Sequence, residues 1–263
     1  MTRFPITHSP ITRLSLFICL SLVVFSACDA NNASQEEVID GDPCLYSDSI
    51  AATATCLTAV QEPEYYVEQA LLYFDTLDLR APEENIPNYH EQVARWEWPP
   101  WLLLTGFGAE DMINASLALR RLDPSTVPQR DCRFFPVQPF ARCYVTFEYE
   151  KGACPIYEEF TFNDQGEMTF IEAWSLESGE IYADPDALWG ERNDFPRLSS
   201  RIPGLGTKTG NIPYHDETLT MQAELLADSE VLDYLERITN WRRYWAEELG
   251  QADRDFFAQG CGW

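Results

Sequence analysis

Lysine is almost missing from this 263-residue chain; Lys151 and Lys208 are the only two. Arginine brings the basic total to 18 against 43 acids, a formal balance of −25. A chain so acidic repels nucleic acid and offers no basic face to anionic lipid, so both partner classes are excluded. Histidine is as scarce: His8, His90 and His215 stand far apart, and no Cys-x-x-Cys occurs. Nothing has metal-ligand spacing, and no metal or other cofactor is expected. The glycine-rich run Gly204–Gly210 has neither P-loop nor dinucleotide spacing and follows no strand, so it marks no phosphate site. Internal repeats and low-complexity runs are also missing.

What is present begins with an address. Arg3 and Arg13 flank the start of the apolar run Leu14–Ala27, which at about 14 residues is short for a membrane span and suits a signal-peptide core. Phe25-Ser26-Ala27-Cys28 resembles the bacterial lipobox, which implies cleavage after residue 27 and lipid on Cys28. The protein is then expected in the cell envelope, exported, periplasm-facing and held by that lipid. Asp29 resembles the retention signal of enteric inner-membrane lipoproteins, but inner and outer membrane both stay open. Cleavage near Ala27 or Ala30 without lipid is the alternative. Signal removal takes Arg3 and Arg13 and no acid, so the charge deficit deepens by two.

With Cys19 lost to the signal and Cys28 to lipid, Cys44, Cys56, Cys132, Cys143, Cys154 and Cys261 remain. An even count in an exported chain reads as three disulfides, with about 15 pairings open. Cys44–Cys56 is the local choice. Cys132 and Cys143 flank the turn Pro136–Pro139 and can face each other across it, which leaves Cys154 with Cys261.

Residues 28–60 read as a polar tether and 61–182 as the domain. Residues 183–263 read as a C-terminal extension of loop followed by a helix over about 229–249. Pro63 opens a helix with Tyr66, Ala70, Leu71, Phe74 and Leu77 at helical spacing. Asn88–Trp98 is expected as a second short helix, stopped by Pro99-Pro100, with Trp96, Trp98 and Trp101 as core or pocket wall. Glu110–Leu122 is a clearer amphipathic helix, with Arg120 and Arg121 suited to the dipole at its end. Asp228 or Ser229 caps the last helix, whose stripe runs Val231, Leu235, Ile238, Trp241, Trp245, Leu249, and Gly250 ends it. That stripe either packs on the domain or faces a partner.

The centre of the chain is Arg142–Leu176, three runs rich in aromatic and β-branched residues that predict consecutive antiparallel strands. In Asn163-Asp164-Gln165-Gly166-Glu167, Gly166 suits the left-handed position of a three-residue hairpin loop. Asn163 and Glu167 then close the hairpin. Counting back places Phe162 opposite Met168, Phe160 opposite Phe170, Glu158 opposite Glu172, and Ile156 opposite Trp174, all on one face. Two carboxylates in an apolar row suggest an acid–base pair. If Glu150-Lys151-Gly152 forms the same loop, Tyr149 meets Ala153 and Tyr144 joins Glu158 and Glu172 in one row. Glu158, Glu172 and Tyr144 are therefore the catalytic candidates; Ile156, Phe160, Phe170 and Trp174 are the ligand-binding candidates. The plainer alternatives are a wet rim that solvates both carboxylates, or neutralisation by Arg142 or Arg133.

Helices followed by a sheet ending in Glu158–Ser175 resemble the NTF2-like (SnoaL-like) superfamily, over roughly Glu62–Ser175. The resemblance implies an α+β cone, with N-terminal helices on a curved antiparallel sheet. It implies a cavity receiving polar side chains, here Glu158, Glu172 and Tyr144. The Asp/His pair of its cyclases has no counterpart. Three functions follow: a pocket binding a small apolar ligand or peptide without catalysis, an envelope protein–protein interaction module, or an isomerase, cyclase or dehydratase. Members of the superfamily also suggest a homodimer through the sheet.

Overall fold

The computed structural model describes residues 58–98, 105–175, 189, 195–198, 205 and 228–251. All belong to the unit Ile39–Trp263, and everything below concerns that unit. Cys28, Cys44, Cys56, Trp101 and Cys261, and most of the loop after Ser175, lie outside the described residues.

Helix α1 (Pro63–Asp75) starts on its proline, as expected, and buries Tyr66, Ala70, Tyr73 and Phe74 along one stripe. The Tyr66 hydroxyl accepts from the Val60 and Gln61 amides at 3.0 and 3.1 Å, tying down the approach to the helix. Strand β1 (Tyr89–Trp98) replaces the expected second helix. Its last six residues are all buried, because it lies inside the sheet with both faces covered. Such a strand shows no polar–apolar alternation, so its pattern resembles a buried helix. After the short β2 (Gly106–Phe107), α2 (Ala109–Leu122) forms where expected, acidic at its start and basic at its end. Arg120 does more than suit the dipole: its Nη2 donates to the carbonyls of Leu79 and Ala81, binding α2 to the chain after α1.

Strand β3 (Thr126–Phe134) pairs with β4 (Ala141–Glu148), which with β5 (Ala153–Phe162) and β6 (Met168–Ser175) forms the predicted three-strand meander. The sheet order is β2-β1-β6-β5-β4-β3. It is mixed rather than wholly antiparallel, since β1 runs parallel to β6. The fold is therefore α+β on an open six-stranded sheet. Cys132 and Cys143 pair across β3 and β4 and form the expected disulfide. Cys154 is also disulfide-bonded.

The turn before β6 is the predicted one. Asn163 N–H donates to the Glu167 carbonyl, Gly166 has φ of 79°, and Asn163 Oδ1 accepts from the Gln165 and Glu167 amides. Tyr65 also donates from its hydroxyl to the Gly166 carbonyl at 2.9 Å. A Cβ on Gly166 would stand 3.0 Å from the Tyr65 ring. Gly166→Ala should therefore cost about 1–3 kcal/mol in urea denaturation, from the left-handed backbone alone or with the displaced ring. An unchanged midpoint would show that neither constrains the turn.

The sheet separates two cores. One, under α1 and α2, holds Tyr66, Phe74, Phe140, Phe160, Phe162 and Ile171. The other holds Trp96, Trp98, Tyr157, Phe170, Trp174 and residues of the C-terminal extension. Among its described residues that extension forms two helices, α3 (Ser229–Thr239) and α4 (Trp241–Gln251), broken at Asn240 rather than continuous to Leu249. Asp228 caps α3 as expected, its side chain accepting from the Glu230 and Val231 amides. The break splits the apolar stripe. Val231, Leu235 and Ile238 enter the second core, while Trp241 and Trp245 pack against the first. Arg242 forks onto Asp111 to fasten α4 to α2.

Candidate functional site

The row Tyr144–Glu158–Glu172 does not form. Phe162 faces Met168 as expected, but a β-bulge follows, so Thr161 faces Phe170 and every later pair shifts by one. Glu158 lies opposite Ala173, and it is Glu159 that faces Glu172. At the other turn the Tyr149 amide donates to the Gly152 carbonyl and Glu148 faces Ala153, one residue shorter than expected. Tyr144 accordingly faces Tyr157. A one-residue slip reverses every side chain's face, and β6 is buried on both faces, so its sequence does not oppose the slip. Of the four ligand-binding candidates, Ile156 and Phe160 enter the first core and Phe170 and Trp174 the second.

Behind the sheet, Glu172 and Glu159 do form an opposed carboxylate pair, and both are satisfied. Glu172 Oε1 accepts from Trp98 Nε1 at 2.8 Å and from the Leu198 amide at 2.5 Å. Arg197 forks onto Glu159, with Nε and Nη2 at 2.8 and 2.7 Å, and the Tyr157 hydroxyl adds a third donor at 2.9 Å. The Trp174 indole donates to the Pro196 carbonyl beside them. Burial pushes the Glu172 carboxyl up to about 7, against those hydrogen bonds. The pair fastens residues 195–198 to the sheet; its hydrogen bonds are spent on structure.

Under the helices the arrangement differs. Glu97 on β1 faces Ala173 on β6, which faces Glu158 on β5, so two carboxylates flank a small residue across three strands. Arg95, two residues back on β1 and 1% exposed, bridges them. Its Nη1 donates to Glu97 at 2.8 Å and its Nη2 to Glu158 Oε1 at 3.1 Å. Burial opposes the charge on Arg95, but the two carboxylates, Glu97 also through its hydrogen bond, hold it protonated. Burial raises Glu97 and lifts Glu158 to about 7, with Arg95 pulling both down. Burial also raises the phenols of Tyr73 and Tyr89, which remain protonated donors.

Four buried atoms of this cluster have no hydrogen-bond partner: the Tyr73 and Tyr89 hydroxyls, Arg95 Nε and Glu158 Oε2. The Tyr73 phenol lies near enough to Glu158 to favour its ionised form, but the two do not reach hydrogen-bond geometry. Buried polar groups are almost always paired, so four orphans in one cluster call for explanation. They amount to a ready set of three donors and an acceptor. The Tyr73 ring meets Phe74 and Phe160 edge-on at 5.1 and 5.4 Å, which places apolar wall beside the polar group.

Glu158 was expected from sequence, while Arg95, Glu97, Tyr73 and Tyr89 were not. The missed signal is Arg95-x-Glu97 between Trp96 and Trp98: read as a strand, it puts opposite charges on one face among tryptophans. Neither Arg142 nor Arg133 neutralises the glutamates. Arg142 lies over the Phe135 ring, and Arg133 lies over Trp189 and pairs with Asp131. Among the described residues no group of three or more His, Cys, Asp or Glu could hold a metal ion. A surface cleft of about 480 Å³ near Phe107, Ile238 and Trp241 is lined by Arg242 and Arg243, which acidic neighbours already engage. No family model and no curated protein sequence matches the chain.

Proposed function

We propose that the chain is an exported lipoprotein whose NTF2-like domain binds a small, largely apolar ligand between its helices and its sheet, without catalysis. The observation that carries the reading is the set of four orphaned polar atoms under α1, walled by aromatics. The element order supports the superfamily: helix, strands, helix, then a meander closed by a strand, a glycine turn and a last strand. The inward polar groups then come from β1 and β5 as Arg95, Glu97 and Glu158, rather than from a paired-glutamate row. Because α3 and residues 195–198 cover the opposite face of the sheet, this reading assigns no second copy to that face. Cys28 carries the lipid in this reading, and acyl groups on the Cys28 peptide in mass spectrometry are its test.

Ligand binding is tested by NMR of the full chain against a panel of small ring compounds. Shifts should centre on Tyr73, Tyr89 and Phe160; shifts confined to the Trp174 face or to α4 would overturn the assignment. An isomerase- or dehydratase-type reading has one observation in its favour. Glu158, held near neutrality beside two phenols, suits proton transfer. Turnover of an apolar carbonyl compound, lost in Glu158→Gln, would establish it over simple binding.

A further inference from the structure

We infer that the interior site takes a neutral, amide-like group, one that presents a hydrogen-bond acceptor and a donor side by side. This rests on the reading that the interior is a ligand site, and it names the chemistry of the ligand's polar end.

The orphaned atoms decide the class. Arg95 Nε–H can only donate, and ionised Glu158 Oε2 can only accept. The Tyr73 and Tyr89 hydroxyls can do either. A ligand that satisfies the set must accept from Arg95 and donate to Glu158 at the same time. A carboxamide or lactam does this, with its carbonyl on Arg95 and a phenol and its N–H on Glu158. A carboxylate does not: it has no donor for Glu158, and it adds a third negative group to a cluster where Glu97 and Glu158 already share one guanidinium. An ammonium does not either, because it has no acceptor for Arg95 and would sit beside a buried cation. Burying an unpaired charge there is costly in both cases. Neutral ligands with only an acceptor leave Glu158 Oε2 unpaired.

The site should also be linked to protons. The ionisable groups facing Glu158 are Arg95 and Glu97 from β1, Tyr89 from β1 and Tyr73 from α1. Arg95 and both phenols keep their protons throughout the neutral range, since their pKa values are raised. Glu158 Oε1 is engaged by Arg95 Nη2, so protonation falls on Oε2 and turns the oxygen that meets the amide N–H into a hydroxyl donor. Binding therefore weakens as pH falls through the titration of Glu158. Glu97 is raised as well, and the Glu158→Gln variant separates its contribution.

The test is a titration of the full chain with benzamide, benzoate and benzylammonium, three probes of one shape and three charges. The ring resonances of Tyr73 and Tyr89 report on the site. Benzamide should bind at least about tenfold more tightly than either ion, at pH 8, as expected for one unpaired buried charge. Its affinity should fall about tenfold between pH 8 and pH 5.5, and Glu158→Gln should flatten that dependence. Tyr89→Phe should weaken benzamide about three- to tenfold without lowering the midpoint of unfolding, because it deletes a hydroxyl that the free protein leaves unpaired. If benzoate or benzylammonium moves the interior resonances at lower concentration than benzamide, the interior binds ligands and the amide assignment is wrong. If none of the three moves them, the ligand-site reading falls with it.

Discussion

Replacing Arg95 by leucine should remove about 3–5 kcal/mol of folding stability at pH 8, as expected for breaking a buried ion pair from one side. The guanidinium is enclosed under α1 and is the partner that both Glu97 and Glu158 share. Without it, two carboxylates remain on either side of Ala173 in a buried site, and among the described residues neither has another salt-bridge partner. Each must then ionise at high cost or stay protonated. The loss should therefore shrink at pH 5.5, where protonation is easier. Lysine should rescue little, because one ammonium cannot hold the geometry of a planar fork bridging two carboxylates. Removing all three charges together, in Arg95→Leu with Glu97→Leu and Glu158→Leu, should recover much of the loss, since a buried triad is weak evidence for net stability. Urea denaturation of the single and triple variants measures both. A loss below about 1 kcal/mol for Arg95→Leu would mean that the pair is solvated, as surface pairs are.

The elements read correctly from sequence share a local cause. Pro63 fixes the start of α1, Asp228 caps α3, Gly166 supplies a left-handed turn, and Cys132 and Cys143 face each other across their hairpin. Each is settled within a few residues of chain. Two of the misreadings share a cause as well: burial on both faces. In β1 it hid the strand, and with it the placement of Arg95 and Glu97 on one face. In β6 it left the register without a penalty for slipping, so a bulge near Thr169 could exchange Glu158 for Glu159 as the partner of Glu172. The opposed carboxylate pair was legible in kind and displaced by one residue. That single residue separates a structural clamp behind the sheet from a polar cluster under the helices.

Stability should fall as pH rises from 5.5 to 8, by on the order of 4 kcal/mol for Glu158 and Glu172 together, at about 1.4 kcal/mol for each tenfold change in proton affinity. Burial lifts each carboxyl to about 7, against an unfolded value near 4.3. Between those two values the folded state holds a proton that the unfolded chain has released. The stabilising contribution is thus fully present below the unfolded value and is lost as pH rises through the folded one. This reverses the usual behaviour of carboxylates, which Asp78 does follow. Burial alone would raise Asp78, but the Arg80 and Val127 amides and Arg130 outweigh it and hold its pKa down. Its contribution is present above the unfolded value and is lost only as pH falls through its own low one. Burial lowers His90, so its contribution grows as pH rises through about 6.5 and offsets part of the decline. Glu97, raised by burial, adds to the decline. The stability maximum should therefore lie near pH 5, on the acid side of the usual range. Glu158→Gln and Glu172→Gln should each remove about half of the slope. Glu172→Gln keeps an oxygen for the Trp98 indole and the Leu198 amide, so it should flatten the profile at little cost in acid. Urea midpoints at pH 5.5 and pH 8 decide the matter: a profile that stays level or rises across that interval would mean that neither glutamate is held in so dry a site.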